Sequence, residues 1–223
     1  MGLLIAFVVV LLWAGSLAAG LLLIGPSLNV FALLVYLPVQ TWLFTGLFIT
    51  AHDAMHGTVS SSPAVNRFVG YLTTFLYAAM WYPKLLAKHK LHHRFPGTPD
   101  DPDYNSGGQN FFRWWFGFML QYITIWQVLV MALLFNLGLI WFTEIQLIVL
   151  WVVPAIASTF QLFYFGTYQP HRLPHHEQMM PHRARSQKKL HGWALVSCYF
   201  FGYHFEHHAS PRTPWWQLYK IRA

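Results

Sequence analysis

Residues 89–93 read HKLHH and residues 204–208 read HFEHH, so His-x-x-His-His occurs twice in a chain with only 9 % charged residues. A third group, AHDAMHG, holds His52 and His56 four residues apart. At spacings of three and four, side chains on an α-helix lie on one face, so each group presents its imidazoles to a shared volume. Neutral imidazole is the commonest nitrogen ligand of transition metals. The eight rings of His52, His56, His89, His92, His93, His204, His207 and His208 exceed what one ion can take, which implies two ions. A single cysteine excludes iron–sulfur and thiolate zinc sites. Nitrogen-rich sites suit Fe, Zn, Cu or Ni. Zinc rarely needs eight histidines, whereas a pair of oxygen-activating irons must keep positions open and change oxidation state, so two iron ions with O2 as co-substrate fit the set best.

Elements able to hold these rings follow from composition. Hydrophobic residues make up 56 % of the 223 residues, far from a soluble domain and typical of a membrane protein. Residues 1–49 contain no charged residue and no histidine, and break only at Gly25-Pro26-Ser27-Leu28-Asn29. Spans are expected at about 3–24, 28–50, 116–140 and 145–165, forming two short hairpins. The first lacks a basic leading region and its apolar run is too long for a signal peptide. The expected fold is an all-α integral membrane protein of one domain over 1–223, with four transmembrane helices and a histidine-rich cytoplasmic cap from 51–115 and 166–223.

Orientation follows from the 14 Lys and Arg. Arg67, Lys84, Lys88, Lys90, Arg94 and Arg113 lie between the hairpins, and the other eight follow the second, which places both regions and both termini in the cytoplasm. The net charge of +7 therefore reads as topology and contact with anionic membrane lipids, and no nucleic-acid partner is expected. Segments 68–81 and 190–203 are too short or too polar to span and read as interfacial helices, the second carrying Cys198 as a buried structural thiol. A lone histidine at an interface is usually a surface or satisfied core residue. Three groups on one side of a membrane are different, because this many unpartnered imidazoles near lipid would be costly to bury.

The words HDAMH, HKLHH and HFEHH resemble the histidine boxes of the membrane di-iron desaturases, hydroxylases and ketolases. More narrowly, GLFITAHDAMHG, HHRFPGTPDDPDY, LFYFGTYQPHR and CYFFGYHFEHH resemble the bacterial and cyanobacterial type of carotenoid 4-ketolase, from about residue 38 to Trp216. That resemblance implies an enzyme of a bacterial inner or cyanobacterial membrane. It would insert a 4-keto group into the rings of β-carotene, and of zeaxanthin if it accepts 3-hydroxylated rings, giving echinenone and canthaxanthin from β-carotene by two hydroxylations at one carbon and loss of water. It also implies a ninth histidine ligand between the second and third boxes, for which His171 is the candidate and His182 the second. His175, His176 and His191 read as interfacial.

Metal-bound histidines usually donate their other N–H to a carboxylate or carbonyl. Asp53 and Asp103 are the candidates for that role, while Asp100 and Asp101 in TPDDPDY read as turn residues and Glu206 as a salt-bridge or capping residue pointing off the ligand face. No glycine-rich nucleotide loop is present, so electrons must come from a separate donor such as ferredoxin, for which Arg183, Arg185, Lys188 and Lys189 offer a basic surface. The aromatic runs before His171 and His204 have the composition of a tunnel for a rigid polyene. Two other functions use the same residues: a fatty-acyl desaturase or hydroxylase, and a non-enzymatic metal-binding membrane protein. The latter predicts ionisable residues inside the spans, and the four spans have none.

Overall fold

The computed structural model describes residues 1–222, and every regular element among them is helical. Three helices are long and apolar enough to cross a membrane: α1 (Gly2–Ile24), α2 (Val30–His56) and a third, Glu144–His171. Between α2 and that third long helix come α3 (Pro63–Ala78), α4 (Tyr82–Arg94), α5 (Phe111–Tyr122) and α6 (Ile125–Gly138). The long third helix is α7, followed by α8 (His191–Cys198), α9 (His204–Ala209) and α10 (Leu218–Ile221).

α2 is the axis. Asn29 starts it, its side-chain oxygen accepting from the N–H groups of Phe31 at 3.0 Å and Ala32 at 3.2 Å. Gly57 stops it in a left-handed conformation, φ 72°, that a side chain would disfavour. Its first turns expose Val30, Phe31, Leu34 and Val35, as a lipid-facing helix should, whereas Phe44, Leu47, Ile49 and Ala51 are completely buried. The lower half is therefore wrapped in protein, and His52 and His56 sit on its last turn.

Close contacts of small residues set the packing around this axis. Gly20 of α1 lies against the ring of Tyr36, whose hydroxyl donates to the Leu150 carbonyl of α7 at 2.8 Å and so ties the three long helices together. Thr45 donates to Gln161 of α7, and Gln161 in turn donates to the Ser197 carbonyl of α8 at 2.7 Å. α8 ends at two left-handed residues, Tyr199 and Phe200 (φ 51° and 60°), where the chain turns back. Tyr199 inserts against Gly46 and stacks on Trp42 with ring centroids 4.1 Å apart. The expected interfacial segment 190–203 is thus a shorter helix plus a tight reversal, and the third histidine group occupies a helix of its own.

The expected span at 116–140 is not one helix. α5 and α6 meet at 91°, and at about 1.5 Å per residue neither crosses a hydrocarbon core of roughly 30 Å alone. Ile123 and Thr124 adopt extended conformations, and the Thr124 side chain caps α6 by accepting from Gln127 N–H at 3.1 Å. Lys84 takes the freed end of α5, its Nζ lying 3.2 Å from the Ile123 carbonyl and 3.4 Å from that of Tyr122. Apolar composition does not distinguish such a broken pair from a straight span, because the bend depends on a cation from α4.

A Cβ added at Gly46 would lie 2.4 Å from the Tyr199 hydroxyl, so Gly46→Ala must displace a fully packed ring. It is expected to cost about 1–3 kcal/mol. Gly15→Ala, where nothing lies within 4 Å, should be neutral or slightly stabilising. Thermal unfolding of both variants in detergent, monitored by loss of monomer, checks this.

Candidate metal centre

Nine imidazoles from four elements, α2, α4, α7 and α9, meet at the end of α2, and they divide into two compartments. His52, His56, His89, His93 and His207 form one, and His92, His171, His204 and His208 the other, with the nitrogens of each set within 4.8 Å of one another. Each His-x-x-His-His group was expected to face one volume. The structure instead splits both groups, and helix geometry explains how. Residues four apart differ by about 40° around a helix, whereas neighbours differ by about 100°. The four-apart pairs His52/His56, His89/His93 and His204/His208 therefore stay together, and the ring at the third position, His92 or His207, crosses to the other compartment.

The nitrogens that converge are Nε2. His207 Nε2 lies 3.1 Å from that of His52 and 3.0 Å from that of His93, and His56 and His89 are 2.7 Å apart. In the second compartment His208 Nε2 is 3.1 Å from both His92 and His204. An imidazole nitrogen carries either one proton or one lone pair, so His207 and His208 cannot each satisfy two neighbours by hydrogen bonding. A shared ion can. Two nitrogens bound at about 2.1 Å and at right angles stand about 3 Å apart, which is the spacing found. His171 Nε2 is fully buried with no hydrogen-bond partner, as a nitrogen awaiting a cation would be. The donor set therefore fits two transition-metal ions.

Charge points the same way. Burial first, and neighbouring imidazoles second, push the rings of His89, His204, His207 and His208 well below the ordinary histidine range, and His93 down to about 2. Held neutral, these rings keep their lone pairs available.

Orientation comes from the other ring nitrogen. His171 ends α7 just after a wide turn at Tyr164–Tyr168, where Gln169 N–H reaches back five residues to the Tyr164 carbonyl. Its Nδ1–H donates to the Arg183 carbonyl at 3.0 Å, leaving Nε2 to face the centre. His92 Nδ1 lies 3.0 Å from both oxygens of Asp101. The turn reading of Asp101 is thus incomplete: it does accept from Gly97 N–H and Asp103 N–H, each at 2.9 Å, but that same turn aims its carboxylate at His92. Burial raises the Asp101 carboxyl, and the His92 ring with these two N–H groups outweighs it, leaving the carboxyl below its usual range and His92 above its own. Asp103, by contrast, is raised to about 6, chiefly by burial. It is 3.8 Å from His92 Nδ1, and Asp53 is 3.9 Å from His52 Nδ1 with its other oxygen on Trp215 N–H, so neither makes the hydrogen bond that Asp101 makes.

The remaining candidates fall outside the two sets. The His182 ring lies tilted with its centroid 5.8 Å from that of His208, His175 Nε2 contacts the His171 carbonyl at 2.9 Å, and His191 contacts Tyr203. Glu206 pairs with Arg222 at 3.2 Å and accepts from Ser186, as a residue off the ligand face should.

A cavity of about 240 Å³ opens onto both compartments. His52 and His89 of the first set and His92 and His204 of the second line it, together with Phe48 of α2, Leu85 of α4, Phe118 of α5, Met131 of α6 and Trp151 and Ile156 of α7. Ile156 of this lining is half exposed on α7, so the cavity wall reaches the surface of an apolar helix long enough to cross a membrane.

Fold and site together define a helical integral membrane protein with a paired histidine metal centre at the end of an apolar cavity. The fatty acid desaturase family pattern matches residues 28–223. A β-carotene ketolase of Paracoccus sp. (strain PC1) is 42 % identical over 186 residues, 82 % of this chain and 76 % of that protein. A zeaxanthin 4-ketolase of Chlamydomonas reinhardtii is 38 % identical over 239 residues, covering 99 % of this chain and 53 % of that one. An omega-3 fatty acid desaturase of Vigna radiata matches over only 63 residues, 28 % of this chain, at 35 % identity. No solved structure matches the chain. The chain belongs to the fatty acid desaturase family and is closely related within it to the β-carotene ketolases of bacteria and algae.

Two outcomes follow. Asp101→Asn removes the anion behind His92 and is expected to weaken metal retention about 10- to 100-fold, while Asp100→Asn, at an exposed position, leaves it unchanged; titration of the apo protein with ferrous iron checks both. Histidines whose folded pKa is depressed bind protons more readily in the unfolded chain, so their contribution to stability is complete above the unfolded value of about 6.5 and falls as pH drops below it. Metal binding needs the same neutral rings. Bound metal should therefore be retained at about pH 7.5 and lost progressively below about pH 6, as measured by elemental analysis after desalting.

Proposed function

We propose that this protein converts carbon 4 of the β-ionone ring of a membrane-dissolved carotenoid, β-carotene or zeaxanthin, into a ketone, using two iron ions held by the nine histidines. The observation that carries this reading is the apolar cavity that reaches both histidine compartments from the lipid side, in a chain whose relatives over most of its length are named as carotenoid ketolases. Iron at such a centre, supplied with O2 and electrons, would provide the oxidising power to break the ring C–H bond, which no side chain can do. The protein's own residues do the rest. The walls formed by Phe48, Phe118 and Trp151 exclude water and fit an apolar ring. At about 240 Å³ the cavity takes an end ring and part of the polyene, and the remainder stays in the bilayer. His52, His89, His92 and His204 bring the metal positions to the ring-binding end.

The membrane arrangement that fits this chemistry counts α5 and α6 as one bent crossing, giving two hairpins with the histidine centre on the cytoplasmic side, a reading that the distribution of Lys and Arg supports. Electrons then arrive from a soluble donor such as ferredoxin. Arg183 and Arg185 contribute little to docking it, because their guanidinium groups donate to the carbonyls of Gly97, Gln169 and Pro174; Lys188 and Lys189 are the exposed cations left in that segment. The family name itself favours a second reading, oxidation of a fatty-acyl chain, but the acyl desaturase match covers only 28 % of the chain.

Expression in a host that accumulates β-carotene should yield 4-keto pigments by chromatography. Changed acyl unsaturation with no keto pigment would favour the second reading. His92→Ala and His207→Ala should each abolish keto pigment and lower bound iron, whereas Lys220→Ala should do neither.

A further inference from the structure

Asp103 and Tyr122 bring a polar pair into the wall of this apolar cavity at its metal end. The Tyr122 hydroxyl donates to Asp103 Oδ1. Asp103 Oδ2 lies 3.8 Å from His92 Nδ1, too far for a hydrogen bond, and His92 already has Asp101. The backbone of Asp103 is fixed from both sides: its N–H donates to Asp101 at 2.9 Å, and its carbonyl accepts from the Trp114 indole at 2.8 Å. Tyr122 is the last residue of α5, held where the chain bends by Lys84 on its carbonyl. A buried carboxylate in such a place is costly, and Asp103 belongs to neither histidine compartment, only to the group it forms with His92 and Asp101, so its free oxygen calls for a polar partner that enters the cavity.

An apolar carotenoid ring has none to offer. Its first oxidation product does. Each oxidation takes one O2 with two electrons and two protons from the external donor, places one oxygen in a C–H bond as a hydroxyl and releases one water. A second oxidation at the same carbon gives a geminal diol, which loses water to become the ketone. Between the two steps the substrate is an alcohol that could return to the lipid.

We propose that Asp103 and Tyr122 hold this alcohol, its O–H donating to Asp103 Oδ2 while the Tyr122 hydroxyl, donating to Oδ1, fixes the carboxylate in place, so that the same carbon stays at the metals for the second oxidation. This assignment rests on the ketolase reading above.

Tyr122→Phe keeps the ring and deletes the hydroxyl, and Asp103→Asn keeps the shape and deletes the charge. Each is produced in the β-carotene host, purified, assayed for iron, and supplied separately with β-carotene and with its 4-hydroxy derivative in the presence of O2 and a reduced ferredoxin. Releasing the carboxylate that receives the alcohol, or removing its charge, should raise the ratio of 4-hydroxy to 4-keto product about five-fold and raise KM for the 4-hydroxy substrate by a similar factor, with KM for β-carotene and bound iron unchanged. A merely structural role would lower both products together. An unchanged product ratio and an unchanged KM for the alcohol in Tyr122→Phe overturn the proposal, whether or not Asp103→Asn retains its iron. Wild-type protein that makes neither alcohol nor ketone overturns the ketolase reading itself, a result distinct from an active enzyme with an unaltered ratio.

Discussion

Lone pairs that only a cation can satisfy govern this structure. Nine imidazole nitrogens point inward, most of their rings buried and several forced neutral by that burial. Hydrogen bonds among them cannot pair every nitrogen, and His171 Nε2 has no protein partner. Such a cluster would be a liability among residues 1–49, which hold no charged residue and no histidine. The complete burial of Phe44, Leu47 and Ile49 above it, and the insertion of Tyr199 against Gly46, close the protein over the centre and hold the bottom of α2 in place.

Helix geometry then decides how one group of rings serves two ions. An i, i+4 pair projects in nearly one direction, and the ring at i+3 points far enough aside to enter the next compartment. α4 and α9 each contribute a pair and a single ring, with the assignments reversed: the pair of α4 lies in the first compartment and the pair of α9 in the second. Each helix therefore supplies nitrogens to both compartments, so that two ions bound there would lie adjacent and would hold α4 against α9. His171 completes the smaller set from the end of α7, and the wide turn before it changes the register that an uninterrupted helix would impose.

The polar groups behind the rings are irregular backbone and loop carboxylate. The Arg183 carbonyl orients His171, and the turn 97–103 orients His92 through Asp101. The basic loop after α7 is correspondingly rigid, since Arg183 and Arg185 fasten it to carbonyls of neighbouring segments. The right-angled α5–α6 pair has a comparable double role. Its bend exposes apolar walls towards the lipid and leaves Tyr122 beside Asp103 at the inner end of the cavity.

The histidine spacings, the absence of charge from residues 1–49 and the single cysteine sufficed to read an all-helical membrane protein with a nitrogen-ligated pair of metals, because periodicity and hydropathy are local properties of the chain. His171 was legible only by resemblance to related proteins, since a lone histidine has no spacing partner. The division of the rings into five and four, the choice of Asp101 over Asp53 and Asp103, and the break at Ile123–Thr124 were decided by tertiary structure. Each depends on a contact that helical periodicity does not reach: α4 with α9, the 97–103 turn folded back on His92, and Lys84 with the carbonyls that end α5. Local pattern specifies which face a side chain occupies, and only the packed fold specifies what that face meets.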